Sequence, residues 1–294
     1  MSGLLLVHAH PDDEAIATGG VMARAHDEGR RVVLVTCTGG EAGEIHNMDE
    51  AAVRPRLAAV RRGELEAAAS ILGVSRLIML GYRDSGMAGT LDNEDPASFH
   101  LADLDLAAGR VAEVIRQERP EVVVTYGPDG IYGHPDHVQA HHVTVRAADI
   151  LEAEGQLFRL YFVAIPRSGM ERMAERMRAA GLATPFEGEV ESGIRIEGTP
   201  DEEITTVVDV GPQVARKKDA FAAHVSQNDP GSFFLNTPPE IFDEAFGTEC
   251  FVLARGGEPA GRPETGLFAS SAADATGARP GPPADPGRPD PSPS

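Results

Sequence analysis

Two apolar runs, Leu4-Leu5-Leu6-Val7 and Val122-Val123-Val124-Thr125, each lead into a His-Pro-Asp cluster and then into an amphipathic segment. The clusters read His10-Pro11-Asp12-Asp13-Glu14 and His134-Pro135-Asp136-His137. Proline is at home in the first turn of a helix, where its missing N–H is not needed. Each cluster therefore reads as a polar loop between a strand and the start of a helix. In an open parallel sheet such loops share one edge, and ligands bind there. Imidazoles and carboxylates far apart in sequence can thus converge on one metal ion. A His–Asp–His set leaves a fourth position for water, the pattern of a catalytic rather than a structural zinc.

The surrounding chain alternates strand and helix signals. Strands are expected at 4–8, 31–38, 77–80 and 122–125, and helices at 14–28, 57–72, 104–118 and 138–154. The 57–72 helix stops at Gly73, the residue type that favours the position just past a helix end. Such alternation indicates βαβ units. The expected fold class is α/β, a Rossmann-like, mostly parallel sheet flanked by helices, with a smaller C-terminal α+β portion. Residues 1–165 form the core with the metal site, and 166–255 complete the substrate pocket. In that second portion, strands are expected at 157–165, 204–210 and 250–254 and helices at 170–180 and 212–224. Residues 256–294 hold nine of the 22 prolines and too little apolar surface to offset their ordering entropy. They are expected to be disordered, with Leu267-Phe268 docking locally.

Lysine plus arginine number 26 against 46 aspartates and glutamates, a formal charge of −20. Nucleic acids and anionic membranes reward basic patches, so neither is an expected partner. No apolar stretch is long enough to span a bilayer, and Met1-Ser2-Gly3 runs directly into the first strand with no cleavable segment in view. Cys37 and Cys250 are too few for a disulfide framework, and a reduced cytoplasm is the expected setting. Cys37, at the end of a strand, reads as a small buried hydrophobe.

The two clusters together resemble the PIG-L/LmbE family of metal-dependent N-deacetylases, over residues 3 to about 255. The stretches 37–44 (Cys-Thr-Gly-Gly-Glu-Ala-Gly-Glu), 83–90 (Arg-Asp-Ser-Gly-Met-Ala-Gly-Thr) and Ile131-Tyr132-Gly133 are similar to its mycothiol-handling branch. That branch contains GlcNAc-inositol deacetylases and mycothiol S-conjugate amidases. Residues 84–90 resemble the deacetylase. Residues 223–230, Phe233-Phe234 and Arg262-Pro263-Glu264-Thr265 with Leu267-Phe268 look more like the amidase. A deacetylase of another amino-sugar compound fits the family as well.

The resemblance implies zinc, or iron(II) in the cell, held by His10, Asp13 and His137. It implies Asp12 as general base. It implies His134 as an imidazolium that stabilises the oxyanion or protonates the amine, with Asp136 holding its ring, and Tyr132 as a further oxyanion contact. Arg61, Asp84, Glu41, Glu44 and His224 match or lie near polar positions that line the sugar pocket in the relatives. The substrate class is a small amino sugar, and a homo-oligomer is compatible with the sequence.

Plainer readings stand beside these. Acidic residues such as Asp12 and Asp13 also serve simply as helix caps. The spacing of His134 and His137 equally allows His134 as a fourth ligand. Asp84 fits an Asx turn, Glu41 and Glu44 can merely punctuate a glycine turn, and Arg61 shares its helix with solvated arginines. His8 reads as a buried, satisfied histidine, and His141 and His142 as scaffold or surface.

Overall fold

The computed structural model describes residues 3–179, 181, 196–229, 233–259 and 263–268. Its strands are β1 (Leu4–His8), β2 (Val32–Thr38), β3 (Arg76–Tyr82), β4 (Val122–Tyr126), β5 (Arg159–Ala164), β6 (Thr206–Asp209) and β7 (Thr248–Arg255). They form one sheet in the order β3-β2-β1-β4-β5-β7-β6. The first five strands pair in parallel, and β7 runs antiparallel between β5 and β6. The α/β, mostly parallel architecture is the one the alternation predicts.

Every residue of β1, β2 and β4 is buried. Parallel strands covered on both faces need unbroken apolar runs, which is why these leucine- and valine-rich segments take the centre. Alternate side chains serve opposite faces. Leu4 and Leu6 pack with Met22, Leu65 and Leu72 on one side, whereas Leu5 meets Val111, Val143 and Leu151 on the other. Cutting Leu5 or Leu6 to alanine should cost about 2–5 kcal/mol.

β1 lies between β2 and β4, so the chain builds one half of the sheet and then crosses to the other beside β1. This is the switch point at which open α/β sheets bind ligands. Leu6 stands opposite Val124 in the register, so His8 and Tyr126 end their strands side by side, ring centroids 5.4 Å apart. Both His-Pro-Asp loops leave the sheet from there.

The helix expected over residues 14–28 is two helices, Asp13–Ala17 and Gly19–Asp27, broken at Thr18. Thr18 Oγ1 bonds the buried His8 ring at 2.8 Å. The N–H groups of Gly20 and Val21, freed by the break, donate to the Glu249 carboxylate at 2.8 Å each. That carboxylate also pairs with Lys217 Nζ at 2.7 Å, so the start of the second helix meets a buried anion, as its dipole favours.

The C-terminal portion is built into the same layers. β6 and β7 extend the sheet, and the Val214–Ala222 helix packs on the Gly19–Asp27 and Leu57–Leu72 helices. Helices at Glu50–Val53 and Pro239–Phe246, of four and eight residues, are not among those expected from the sequence. The expected docking of Leu267-Phe268 starts three residues earlier than its sequence pattern suggests. Glu264 bridges to Thr206 on the edge strand, Arg159 Nη2 pairs with Glu264 Oε2 at 2.7 Å, and Leu267 enters the core. The disorder expected further along falls on 269–294, outside the described residues. Among the described residues no helix is long and apolar enough to cross a membrane.

Candidate metal centre and active site

Beyond β1 the chain turns at Pro11, and Asp12 adopts φ 112°, ψ −30°. A non-glycine residue there stores on the order of 1–3 kcal/mol of strain. Beyond β4, Gly130 and Ile131 also take positive φ, 62° and 72°. A Cβ at Gly130 would come 2.8 Å from that of His137, so glycine lets this loop fold tightly over the helix start. The Pro135–Ala153 helix then carries Asp136 and His137 inward.

Three candidate ligands meet where the loops face each other. His10 Nδ1 lies 3.2 Å from His137 Nε2 and 3.5 Å from Asp13 Oδ2, and His137 Nε2 lies 3.3 Å from Asp13 Oδ1. Ligands about 2.0–2.2 Å from a tetrahedral ion are separated by about 3.4 Å, so the spacing suits one shared cation. The outer ring contacts support this. His137 Nδ1 faces the Gly130 carbonyl at 3.2 Å, which keeps the proton on Nδ1 and turns the Nε2 lone pair inward. His10 Nε2 faces Asp136 Oδ2 at 3.2 Å and Asp84 Oδ1 at 3.4 Å. These carboxylates hold a proton on Nε2, which leaves Nδ1 as the nitrogen that a cation would take. Burial opposes charge on the ring, but Asp84, Asp13 and Asp136 raise the imidazole well above its usual range. Two imidazole nitrogens and a carboxylate at this spacing call for positive charge among them, which a shared proton or a metal cation supplies. Carboxylates behind ligating imidazoles fix the tautomer and raise basicity.

His134 also brings a ring nitrogen within 4.8 Å of those of His10 and His137. Its Nδ1, however, accepts the Asp136 backbone N–H at 3.1 Å, capping the helix. The hydrogen-bond pattern therefore puts the proton on Nε2, which makes that nitrogen of His134 an N–H donor. The expected support of this ring by the Asp136 carboxylate is not what the structure builds. That carboxylate, fully buried, serves His10 and accepts the Ser85 N–H at 2.8 Å. Burial, then the neighbouring His10 and His137, push the His134 imidazolium down to about 2. In the metal-free protein this favours the neutral ring, whereas the family resemblance implies the imidazolium.

Asp12 keeps 23% of its side chain exposed, beside the ligands, and its Oδ2 lies 3.2 Å from Arg61 Nη2. Burial raises its carboxyl to about 6 against the lowering effect of Arg61. Burial likewise opposes the charge on Asp13, but His137 and His10 hold that carboxyl well below its usual range. The adjacent carboxylates are thus differentiated, one poised to take a proton and one held as an anion. Tyr132 stands at the rim, its ring 4.9 Å from His137 and 6.1 Å from His134.

The expected sugar contacts separate. Arg61 is buried and spends its guanidinium on the carbonyls of Pro11 and Gly40 and on Asp12, so it braces the loop. A Cβ at Gly40 (φ 69°) would run into that guanidinium. His224 is wholly buried and pairs with Glu14 at 2.7 Å. Asp84 both forms the Asx turn with the Gly86 N–H and stands behind His10. Glu41 accepts the Asp84 N–H at 3.0 Å and lines a polar cavity of about 480 Å³ with Arg54, Arg56, Arg83 and Asp92. The Glu44 side chain, 86% exposed, meets His46 Nε2 at 3.2 Å. A cavity of about 620 Å³ at the opposite edge of the sheet, by the start of β5, holds none of these residues.

One central residue carried no motif. Tyr126, the last residue of β4, donates its hydroxyl to Asp13 Oδ2 at 2.7 Å and accepts the Ala9 N–H at 2.8 Å. Its ring stacks on His137 at 4.3 Å. His8 is buried and satisfied as expected; burial lowers it to about 4. His141 bonds the Tyr126 carbonyl at 3.0 Å and is scaffold. Cys37 is buried, and burial raises its thiol well above the usual range.

Residues 5–148 match the family profile described as PIG-L, GlcNAc-PI de-N-acetylase. The 1D-myo-inositol 2-acetamido-2-deoxy-alpha-D-glucopyranoside deacetylase of Acidothermus cellulolyticus is 46% identical over 277 residues, covering 90% of this chain and 94% of that one. The protein of the same name from Salinispora arenicola is 43% identical, covering 88% and 86%. Among solved structures, N,N'-diacetylchitobiose deacetylase from Pyrococcus horikoshii superimposes with a TM-score of 0.57 at 22% identity, covering 87% and 84%. The 4-carboxy-2-hydroxymuconate hydratase GalB from Pseudomonas putida does so with 0.54 at 20%, covering 88% and 98%. A fold shared with a hydratase does not by itself name a reaction, which must be argued from the site.

Proposed function

The chain belongs to the PIG-L family, and from that premise we propose that it hydrolyses the acetamido group of GlcNAc-inositol, releasing acetate and the free amino sugar. Family members are metal-dependent deacetylases. The observation that carries the reading is the convergence of His10, Asp13 and His137 beside a partly open Asp12. These three residues would hold the metal, for which zinc, or iron(II) in the cell, is proposed. Bound there, it would supply a Lewis acid for the amide carbonyl and make water acidic enough to attack near neutral pH.

The chain's own groups divide the remaining work. Asp12 takes the proton of the attacking water. The Nε2–H of His134 faces the oxygen that gains charge, a role donors fill best when fixed in advance, and the Tyr132 hydroxyl supplements it. With His134 read as a neutral donor, the proton that the departing amine requires returns from Asp12, whose carboxyl near 6 suits both directions of transfer. The polar cavity at Glu41 offers hydrogen-bonding groups to the polyol side of the substrate. The setting proposed is the cytoplasm, where Cys37 and Cys250, both free, stay reduced.

Parallel assays on one sample test this reading. Zinc-loaded protein should release acetate from GlcNAc-inositol much faster than it cleaves a bimane conjugate of mycothiol, and chelation should abolish the release. Faster cleavage of the conjugate would make the amidase the correct reading, and full activity after chelation would end both.

A further inference from the structure

The Pro11–Asp12 peptide, which sets the direction of the Asp12 carboxylate, is gripped at both ends. Its carbonyl accepts from Arg61 Nη2. Its N–H, that of Asp12, donates to Glu14 Oε2 at 2.9 Å. Glu14 Oε1 lies 2.7 Å from His224 Nε2, and both side chains are wholly buried. Just beyond, the Ser226 N–H and hydroxyl both donate to the Glu64 carboxylate at 2.7 Å. Glu64 is three residues after Arg61, on the same side of the Leu57–Leu72 helix. The contacts close a ring running from Arg61 through Pro11–Asp12, Glu14, His224, Ser226 and Glu64 back to the helix. Asp12 sits at φ 112° at the one point of this ring that opens to the site.

We propose that Glu14 and His224 are positioning residues for the reaction: they hold the Pro11–Asp12 peptide in its strained conformation and so aim the Asp12 carboxylate. The inference rests on the proposed role of Asp12 as the base. It also assigns a task to the C-terminal portion of the chain, which reaches the catalytic loop through His224. Glu14 needs an oxygen to accept the Asp12 N–H, and glutamine keeps one where alanine does not.

The test compares Glu14→Ala, Glu14→Gln and His224→Gln, each alone and combined with Asp12→Asn. Thermal unfolding midpoints and zinc affinity are measured beside kcat and KM. Glu14→Ala should lower kcat about tenfold to a hundredfold, the scale of a displaced catalytic group, with KM and zinc affinity within about threefold of the parent. Glu14→Gln should recover most of that loss, and His224→Gln should show a smaller fall of the same kind. With Asp12→Asn already present, neither change should lower kcat further, since residues acting through one group do not add.

Losses that multiply in the double variants overturn the proposal, and so does zinc affinity falling in step with kcat, which would tie Glu14 to the ligand Asp13. Unchanged kcat in folded single variants also overturns it. Should Glu14→Ala fail to fold, Glu14→Gln and His224→Gln decide by the same criteria. Wild-type kcat in Asp12→Asn alone would instead remove the base reading on which the inference stands.

Discussion

The loops after β1 and β4 spell the same three residues, His-Pro-Asp, and the protein uses them in nearly opposite ways. In the first, His10 turns Nδ1 to the ligand cluster; in the second, His134 spends Nδ1 on the N–H of its own helix. The aspartates differ just as much. Asp12 lies at a strained φ, partly open, against a guanidinium, whereas Asp136 is fully buried behind His10. On the proposed reading, the first loop supplies a ligand and a base, and the second supplies a hydrogen-bond donor and a brace for the other loop's ligand. What assigns the roles is the hydrogen-bond partner each fold neighbour offers, not the motif text.

The largest effects should come from the groups the loops share. His10→Ala or His137→Ala removes one of three converging ligands, and bound zinc and activity should disappear together, read by metal analysis and acetate release. A variant that keeps stoichiometric zinc would break the ligand assignment. Next, the two matched aspartates should respond differently to the same substitution. Asp12→Asn should retain zinc while kcat/KM falls roughly a hundredfold or more, the scale of a lost general base. Asp136→Asn should weaken zinc binding by about tenfold to a hundredfold, as losses behind a metal ligand do. If both variants lose only kcat, the contrast between the loops is wrong.

Much of this was legible from residues alone. Unbroken apolar runs identify strands buried on both faces, and the repeated cluster places two loops at one edge of the sheet. The residue types of the two clusters point to a metal, while the choice of His10, Asp13 and His137 as its ligands comes from the family resemblance and stays a proposal. Other features were hidden because tertiary partners decide them. Helix periodicity runs smoothly through Thr18, and only the His8 ring and the distant Glu249 make the break favourable. Arg61 is chemically like its solvated neighbours Arg54 and Arg62 until the Pro11 carbonyl and Asp12 arrive beside it. Tyr126 looks like the end of an ordinary strand, although it sits one strand over from His8 at the switch point. That position, a polar aromatic closing a central parallel strand, is the signal that could have found it.

The finest test of the contrast lies in the pH profile and in Arg61, whose bonds to the His-Pro-Asp loops go to the first, at Pro11 and Asp12. Asp12 must be deprotonated to act as base, so kcat/KM falls as pH drops through its pKa. Burial raises that carboxyl to about 6 in the metal-free protein, and Arg61 lowers it. A bound cation adds to the effect of Arg61, so the acidic limb of the zinc enzyme should lie at or below about 6. Arg61→Met removes a positive charge 3.2 Å from Asp12 Oδ2, which favours the protonated form, and the limb should move to higher pH. Arg61→Lys keeps the charge but not the planar fork that reaches Pro11, Gly40 and Asp12 together. It should lower kcat while leaving the limb nearer its original place. If the limb stays fixed in Arg61→Met, the titrating group is not Asp12, and the division of labour between the loops needs a different base.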